Sequence, residues 1–177
     1  MKIYHGSKSN FKEFDLNMIR TNATTEGVGF YCTDNKSIAE RYAQGGYLLE
    51  FEYCGKKTLS SEKVTLTKDE MLKYILAINV ETDFLSNYGD VEYEGYSKVL
   101  RRAINSFCEY SRDDVEFVSE ICNTCGDFEM PLNVLYKTLG YDSAIVKADW
   151  GNQNIYLIFT NEAIKHVCSY EYLTQTL

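Results

Sequence analysis

Two short motifs in the first quarter of the chain combine residue types that could hold a planar ligand. The first is a histidine, a glycine and a serine in a row, His5-Gly6-Ser7. The second is a pair of tyrosines eleven residues apart, Tyr31 and Tyr42. Two aromatic side chains can flank a flat ring, and a glycine lets its backbone approach a ligand closely. Because the chain has 15 tyrosines in 177 residues, the tyrosine pair is informative only together with the first motif.

Hydrophobic periodicity and turn residues predict the elements that would position these side chains. Strands are predicted at 2–4, 27–33, 47–53, 141–147 and 154–160, with a turn at 150–152. Helices are predicted at 36–44, 67–80, 95–109, 112–123 and 131–138. The first strand stops at His5, the second carries Tyr31, and the first helix carries Tyr42. Alternating apolar and polar residues predict that the third strand is buried on one face only.

The order of these elements indicates a mixed α+β domain rather than a regular series of β-α-β units. The helices within residues 67–123 form a helical insert. Thr67 and Glu70 have the spacing of a capping box at its start. Pro131 suits the first turn of the next helix, and Gly140 suits its end.

The chain is acidic, with a net charge of −8 and a pI near 4.8. Proteins that bind nucleic acid neutralise phosphates with a basic face, so this charge disfavours nucleic acid and fits docking on a basic surface of another protein. No run approaches the roughly 20 apolar residues of a membrane span. No apolar stretch of signal-peptide length follows Met1. We therefore expect a cytoplasmic protein without a membrane partner.

The six cysteines are expected to be free thiols, since a chain of this size can bury a core without a disulfide framework. Cys122 and Cys125 form a lone C-x-x-C pair. A zinc site would need two further ligands, and only Cys108 and His166 offer themselves, without a recognisable spacing. We interpret the pair as structural thiols and expect no metal site, with metal binding and redox activity as the alternatives.

The order and spacing of the first motifs resemble the ADP-ribosyltransferase superfamily, particularly the branch of diphtheria toxin and poly(ADP-ribose) polymerase. That branch has His-Gly-Ser or His-Gly-Thr at the first strand. It also has a Gly-x-Tyr-Phe strand, followed eleven residues later by a second tyrosine. In this chain His5-Gly6-Ser7, Tyr31 and Tyr42 hold these positions.

Two later segments are similar to small phage and mobile-element members, including the anti-CRISPR type. They are the Leu-Gly-Tyr-Asp strand at 139–142 and the Asn-x-x-Ile tail at 161–164. The resemblance covers nearly the whole chain outside residues 55–125. It implies one ADP-ribosyltransferase-like α+β domain over residues 1–177, with two small packed β-sheets around an NAD cleft and a helical insert at about 67–123.

The resemblance also implies roles for the motif residues. Cleavage of the nicotinamide–ribose bond of NAD develops positive charge at the ribose, so the site must hold the nicotinamide ring flat and fix its carboxamide. We expect Tyr31 and Tyr42 to sandwich the ring. The backbone of Gly6 can then approach and bond the carboxamide. By resemblance, His5 would hydrogen-bond a ribose hydroxyl and Ser7 the amide.

The catalytic acid is the one part of the family pattern that this chain lacks. Many members place a glutamate at the start of the last strand, where this chain has Gln153 and Asn154. Strand alternation puts Gln153 on the same side as Ile155, which makes it a candidate to bond the ribose. Asp127 is the first candidate, because some compact members keep an acidic residue there, and Glu129 is the third. A charge favoured by the helix dipole is the alternative for Asp127.

The activity implied by the resemblance is transfer of ADP-ribose from NAD to a side chain of a cytoplasmic host protein, with release of nicotinamide and without a metal. A phage or mobile-element effector that inactivates host defence, of the anti-CRISPR type, is the expected setting by analogy. One alternative is a non-catalytic acidic inhibitor that binds a partner with the same fold. Another is an NAD glycohydrolase, in which water replaces the acceptor.

Overall fold

The structure is a computed structural model that describes residues 1–18, 26–148 and 153–172. The chain divides into two compact units. The sheet unit comprises Met1–Thr58 and Tyr141–Leu177, and the helical unit comprises Leu59–Gly140. Among the described residues, no helix has both the length and the apolar character needed to cross a membrane. The predicted turn at 150–152 lies outside the described residues.

The described strands form one sheet of seven strands in the order β4-β5-β6-β2-β1-β3-β7, which differs from their order in the sequence. They are β1 (Lys2–Ser7), β2 (Phe30–Thr33), β3 (Gly46–Tyr53), β4 (Thr58–Leu59), β5 (Ser143–Lys147), β6 (Asn154–Ile158) and β7 (Ile164–Tyr172). The pairs β1–β2, β1–β3, β2–β6, β3–β7 and β5–β6 are antiparallel. Helix α1 (Lys36–Tyr42) lies between β2 and β3 in the sequence.

The prediction of two small packed sheets is wrong, because one backbone pair joins the two groups of strands. Tyr4 of β1 lies opposite Thr33 of β2. This pair connects β4, β5, β6 and β2 to β1, β3 and β7. In contrast, β1 pairs with β3 along its whole length, as far as Ser7 opposite Tyr47. The sheet therefore has a junction at its centre where the contact between neighbouring strands is short.

Two strand ends differ from the prediction for local reasons. β1 continues beyond His5, because β3 pairs with it as far as Ser7. β2 begins at Phe30 rather than at residue 27. Gly27 and Gly29 have φ angles of 123° and 139°, which are accessible to glycine but do not occur in a regular strand.

β3 is buried on both faces at residues 48–51, instead of on one face as predicted. On one face Leu48 packs with Ala39 and Ala43, which belong to α1 and the residue that follows it. On the other face the ring of Phe51 lies 6.1 Å from the ring of Phe30. Both faces of this part of the sheet are therefore covered by other parts of the sheet unit.

The helical unit contains α2 (Lys68–Thr82), α3 (Val91–Glu94), α4 (Tyr96–Tyr110), α5 (Asp114–Cys125) and α6 (Glu129–Leu139). Local sequence signals set its helix ends. The capping box of Thr67 and Glu70 is confirmed at the start of α2. Gly140 ends α6 with a φ of 78°, as predicted. In the core of this unit, the hydroxyl of Tyr74 donates to the carbonyl of Pro131 at 2.9 Å.

A buried aspartate organises the loop at the beginning of the helical unit. Asp114 is fully buried at the start of α5. Its carboxylate accepts backbone N–H groups of Ser60, Thr65 and Leu66 at 3.3, 2.7 and 3.0 Å. It also accepts the Thr65 hydroxyl at 2.5 Å. These charge-assisted bonds compensate the carboxylate for its burial.

Candidate functional site

His5 lies in the middle of the sheet, at the junction of β1 and β2. Its Nδ1 is 2.6 Å from the carbonyl oxygen of Tyr31, and its ring lies 4.4 Å from the ring of Phe30. Burial lowers the pKa of His5 from 6.5 to about 4, so the imidazole is neutral at pH 7. Because a carbonyl only accepts hydrogen bonds, Nδ1 carries the proton and Nε2 has a lone pair. The site thus contains a fixed imidazole with one acceptor nitrogen.

The strand register assigns the side chains to the two faces of the sheet. Tyr4 lies opposite Thr33, and opposite residues project to the same face. Tyr31 therefore shares a face with Thr33, which is also the face covered by α1. His5 projects to the other face together with Phe30. His5 and the side chain of Tyr31 are thus linked through the Tyr31 carbonyl, across the sheet.

The Tyr31 side chain is held by the segment that leads into β2. Its hydroxyl donates to the carbonyl of Gly27 at 2.6 Å and accepts the N–H of Glu26 at 3.2 Å. Burial raises the pKa of Tyr31 to about 12, so the phenol stays neutral. A half-buried ring with a fixed hydroxyl can provide one wall of a ligand site.

Gly6 and Tyr42 are neighbours because α1 packs closely on β1. A Cβ on Gly6 would lie 2.6 Å from the Cβ of Tyr42 and 2.3 Å from the carbonyl oxygen of Ala39. The absence of a side chain at position 6 is therefore required by the helix. Tyr42 itself is 62% exposed, so most of its ring is accessible to a ligand. Ser7 follows at the end of β1, where its Oγ accepts the N–H of Ser9 at 3.1 Å.

Gln153 is buried, with 4% exposure, immediately before β6. Thr33 lies opposite Ile155 and Tyr31 opposite Leu157. The side chain of Gln153 accepts a hydrogen bond from the Thr33 hydroxyl. Gln153, Thr33 and the Tyr31 side chain therefore share the face of the sheet that α1 covers.

The two carboxylate candidates lie in the helical unit. Asp127 is exposed, and its Oδ1 accepts the N–H groups of Glu129 and Met130 at 2.9 and 3.4 Å. It thus caps the first turn of α6, which is the structural alternative stated above. Glu129 is half-buried in that turn. The catalytic roles of Asp127 and Glu129 stay predictions.

Sequence reasoning did not identify Thr33 and Asp34 as partners of the following strand. Besides the bond from Thr33 to Gln153, the Asp34 carboxylate accepts the N–H and the side-chain amide of Asn154 at 2.9 and 2.6 Å. Both contacts join residues about 120 positions apart. In the sequence, the only signal is that two polar residues stand at the end of β2 and two polar residues stand at the start of β6. This signal becomes informative once β2 and β6 are known to be adjacent.

Asp142 and Asn161, which belong to the two later motifs, form hydrogen bonds that hold neighbouring segments of the backbone. Asp142 accepts the N–H of Lys56 at 2.6 Å and the hydroxyl of Ser143 at 2.7 Å. Asn161 accepts the N–H of Phe14 at 3.0 Å and donates to its carbonyl at 2.9 Å. The ring of Phe14 stacks 4.7 Å from that of Phe30. Asn161 therefore anchors the loop that covers the His5 face of the sheet.

The cysteines form no disulfide in the structure. Cys122 is buried and Cys125 is half-buried. Burial raises the pKa of Cys125 to about 11, which disfavours a reactive thiolate there. Within residues 1–18, 26–148 and 153–172, no group of three or more histidine, cysteine, aspartate or glutamate side chains could hold a metal ion.

Comparison with known protein families gives a match over nearly the whole chain. The family model described as "ADP-Ribosyltransferase in polyvalent proteins" matches residues 1–171. Neither the curated proteins nor the solved structures contain a match to the chain.

Proposed function

Because this chain belongs to the family of ADP-ribosyltransferases in polyvalent proteins, we propose that it transfers ADP-ribose from NAD to a side chain of another protein. The family assignment supports transferase activity and implies NAD binding. The observation that carries the proposal is the neutral imidazole of His5, bonded to the Tyr31 carbonyl at the junction of β1 and β2. This contact joins the two motifs on which the family resemblance depends.

His5 is the proposed ligand of a ribose hydroxyl. Its Nδ1 is occupied by the Tyr31 carbonyl, and among the described residues no protein group bonds to Nε2. The lone pair of a neutral imidazole nitrogen accepts a hydrogen bond from a hydroxyl. Since the pKa of His5 is about 4, this acceptor is available across the physiological pH range.

The nicotinamide is proposed to lie between Tyr31 and Tyr42, on the face of the sheet covered by α1. The exposed ring of Tyr42 and the half-buried ring of Tyr31 supply aromatic surfaces from a helix and a strand. The family resemblance assigns the carboxamide to the backbone of Gly6 and to Ser7. A ligand that touches both His5 and Tyr31 must lie at the strand junction, because these side chains project to opposite faces.

The proposed reaction replaces one bond at the ribose C1′ by another. The bond to the nicotinamide nitrogen breaks and its electron pair leaves with the neutral nicotinamide. A lone pair of the acceptor side chain forms the new bond, and the acceptor proton passes to a base or to water. Positive charge develops on the ribose, so a nearby carboxylate would lower the barrier.

Asp127 is the proposed catalytic group near the ribose, with the neutral Gln153 second and Glu129 third. Gln153 has the favourable place, since it shares a face with Tyr31, but its amide is neutral. Asp127 and Glu129 have the charge and belong to the helical unit. Loss of one preorganised electrostatic contact costs on the order of 10²–10³ in turnover. Turnover of D127A, Q153A and E129A variants assigns the role.

The test of the function is incubation of the protein with labelled NAD and a lysate of host cells. Transfer predicts labelled protein and free nicotinamide. His5→Ala and Tyr31→Ala should abolish labelling, because they remove the ribose acceptor and one aromatic wall. His166→Ala and Tyr93→Ala are matched controls, since His166 bonds to Ser169 on β7 and Tyr93 is 90% exposed on the helical unit. Full activity of His5→Ala would contradict the proposal.

The same assay separates the alternatives. An NAD glycohydrolase yields free ADP-ribose without labelled protein. A non-catalytic acidic inhibitor yields neither product and binds its partner without NAD. Two observations favour the inhibitor as a second candidate: the neutral Gln153 in the family's glutamate position, and the location of 15 of the 26 acidic residues but only 8 of the 18 basic residues in the helical unit.

The proposed target is a cytoplasmic host protein, and the proposed setting is a phage or mobile-element effector of the anti-CRISPR type. The acidic helical unit supports a target with a basic surface, because complementary charge accelerates docking. Mass spectrometry of the labelled lysate identifies the protein and the acceptor residue. Labelling of proteins unrelated to host defence would contradict the proposed setting.

A further inference from the structure

The hydroxyl of Thr33 is bonded on two sides at the end of β2. It accepts the backbone N–H of Asn35 at 3.0 Å, and it donates to Oε1 of Gln153. Thr33 is 8% exposed and Gln153 is 4% exposed. Oε1 is therefore the end of the Gln153 amide that faces Thr33.

The other end of this amide is a buried donor. Nε2 of Gln153 has no hydrogen-bond partner among the described residues. Buried polar groups in folded proteins are nearly always paired, so this donor marks a place for an acceptor that comes from outside the described chain. Gln153 lies on the same face of the sheet as the side chain of Tyr31.

We infer that Thr33 is a positioning residue that orients Gln153 as a hydrogen-bond donor, and that Nε2 binds an oxygen atom of the nicotinamide ribose. The inference rests on the proposed function, since it assigns an acceptor within NAD. An amide that presents its N–H₂ end stabilises no positive charge. Gln153 therefore contributes to binding of the ribose, and the negative charge of the reaction comes from another group.

A purely structural role for Thr33 makes a different prediction. Asn35 caps α1 by accepting the N–H of Ile38 at 3.3 Å, so Thr33 could act through Asn35 on the helix alone. Thr33→Val removes the hydroxyl and keeps the shape, whereas Thr33→Ser keeps the hydroxyl. A double-mutant cycle with Gln153→Ala separates an effect of Thr33 through Gln153 from an effect through Asn35. Only the effect through Gln153 disappears when the Gln153 amide is absent.

The binding experiment measures Kd for NAD, ADP-ribose and nicotinamide by calorimetry. We expect Thr33→Val to weaken NAD and ADP-ribose about five- to tenfold, as for loss of one hydrogen bond, and to leave nicotinamide unchanged. Thr33→Ser should bind within twofold of wild type. In the Gln153→Ala background, Thr33→Val should have no further effect. An equal effect in both backgrounds, or a loss confined to nicotinamide, would overturn the inference.

A measurement without NAD tests the orientation itself. Side-chain ¹⁵N relaxation should show an ordered Gln153 amide in the free wild-type protein and in Thr33→Ser, and a mobile one in Thr33→Val. Equal mobility in all three proteins rejects the inference whatever the activity. An ordered amide in a protein that does not bind NAD rejects the proposed function and the ribose partner, while the orienting role of Thr33 stands.

Discussion

Replacing Gly6 by alanine tests whether the close packing of α1 on β1 requires a glycine at this position. The added Cβ would lie 2.3 Å from the carbonyl oxygen of Ala39, 2.6 Å from the N of Ala43 and 2.6 Å from the Cβ of Tyr42. Non-bonded heavy atoms normally approach to about 3.5 Å, so α1 would have to retreat by about 1 Å. Two of the three atoms are backbone, which a change of rotamer cannot move.

Overpacking of a core typically costs about 1–3 kcal/mol, and the backbone contacts of Gly6 place it at the upper end, near 3 kcal/mol. In a protein of this size, each kcal/mol lowers Tm by about 2–4 °C. We therefore expect Gly6→Ala to melt about 6–12 °C below wild type in a circular-dichroism scan. Ser7→Ala is the matched control, since it removes only the bond to the N–H of Ser9, and should melt within about 2 °C of wild type.

A second readout separates the helix from the ligand. The N–H of Ala43 bonds to the carbonyl of Ala39 at 3.0 Å, and its hydrogen exchange should accelerate in Gly6→Ala if α1 is displaced. A variant that keeps the wild-type Tm and slow exchange but loses NAD binding would refute the reasoning. In that case, the glycine would be required by the ligand and not by the helix.

Three further perturbations have defined outcomes. Because folded His5 has a pKa of about 4 and an unfolded histidine one of 6.5, only the unfolded state gains this proton as the pH falls from 6.5 to 4. Urea unfolding should therefore show wild type losing up to about 3 kcal/mol relative to His5→Gln over this window, and a constant difference would contradict the low pKa. Asp114→Asn should lower the free energy of unfolding by about 2–3 kcal/mol, because it turns an amide N–H₂ towards buried donors; an unchanged urea midpoint would show that the loop does not depend on the charge. Tyr31→Phe should lose about 1–2 kcal/mol with its two hydroxyl bonds, whereas Tyr93→Phe should lose none, and equal stability of the two variants would contradict the hydroxyl's role.

Local signals in the sequence were sufficient for the longer helices, whereas the four-residue α3 has no counterpart among the predicted elements. The capping box at Thr67 and the terminal Gly140 predict the start of α2 and the end of α6 correctly. Each signal acts within one turn of helix, so no knowledge of the rest of the fold is needed. The type and order of most elements could be read from the sequence for the same reason.

The sheet depends on contacts that local signals do not contain. The joining of all strands through Tyr4 and Thr33 depends on how β1 and β2 meet, and periodicity does not specify this. β7 has no counterpart among the predicted elements, since polar residues such as Lys165 and Glu171 interrupt its apolar pattern. β4 has only two residues, too few for a periodic signal.

The candidate site shows the same division. The motif containing His5, Gly6 and Ser7 predicted which residues belong to the candidate site. It did not predict that His5 would bond the Tyr31 carbonyl. The role of Thr33 depends on the register between β2 and β6. Such a bond between side chains far apart in the sequence becomes visible only after the strands are paired.

The bonds of Asp142 have a consequence for how this chain could be altered. Its backbone N–H donates to the carbonyl of Lys57 at 3.0 Å, and its carboxylate accepts the N–H of Lys56 at 2.6 Å. The points where the chain leaves the sheet unit and returns to it are thus fastened together by the sheet unit itself. We therefore expect a chimera that replaces residues 60–140 to keep these two bonds, because all of their atoms belong to the sheet unit.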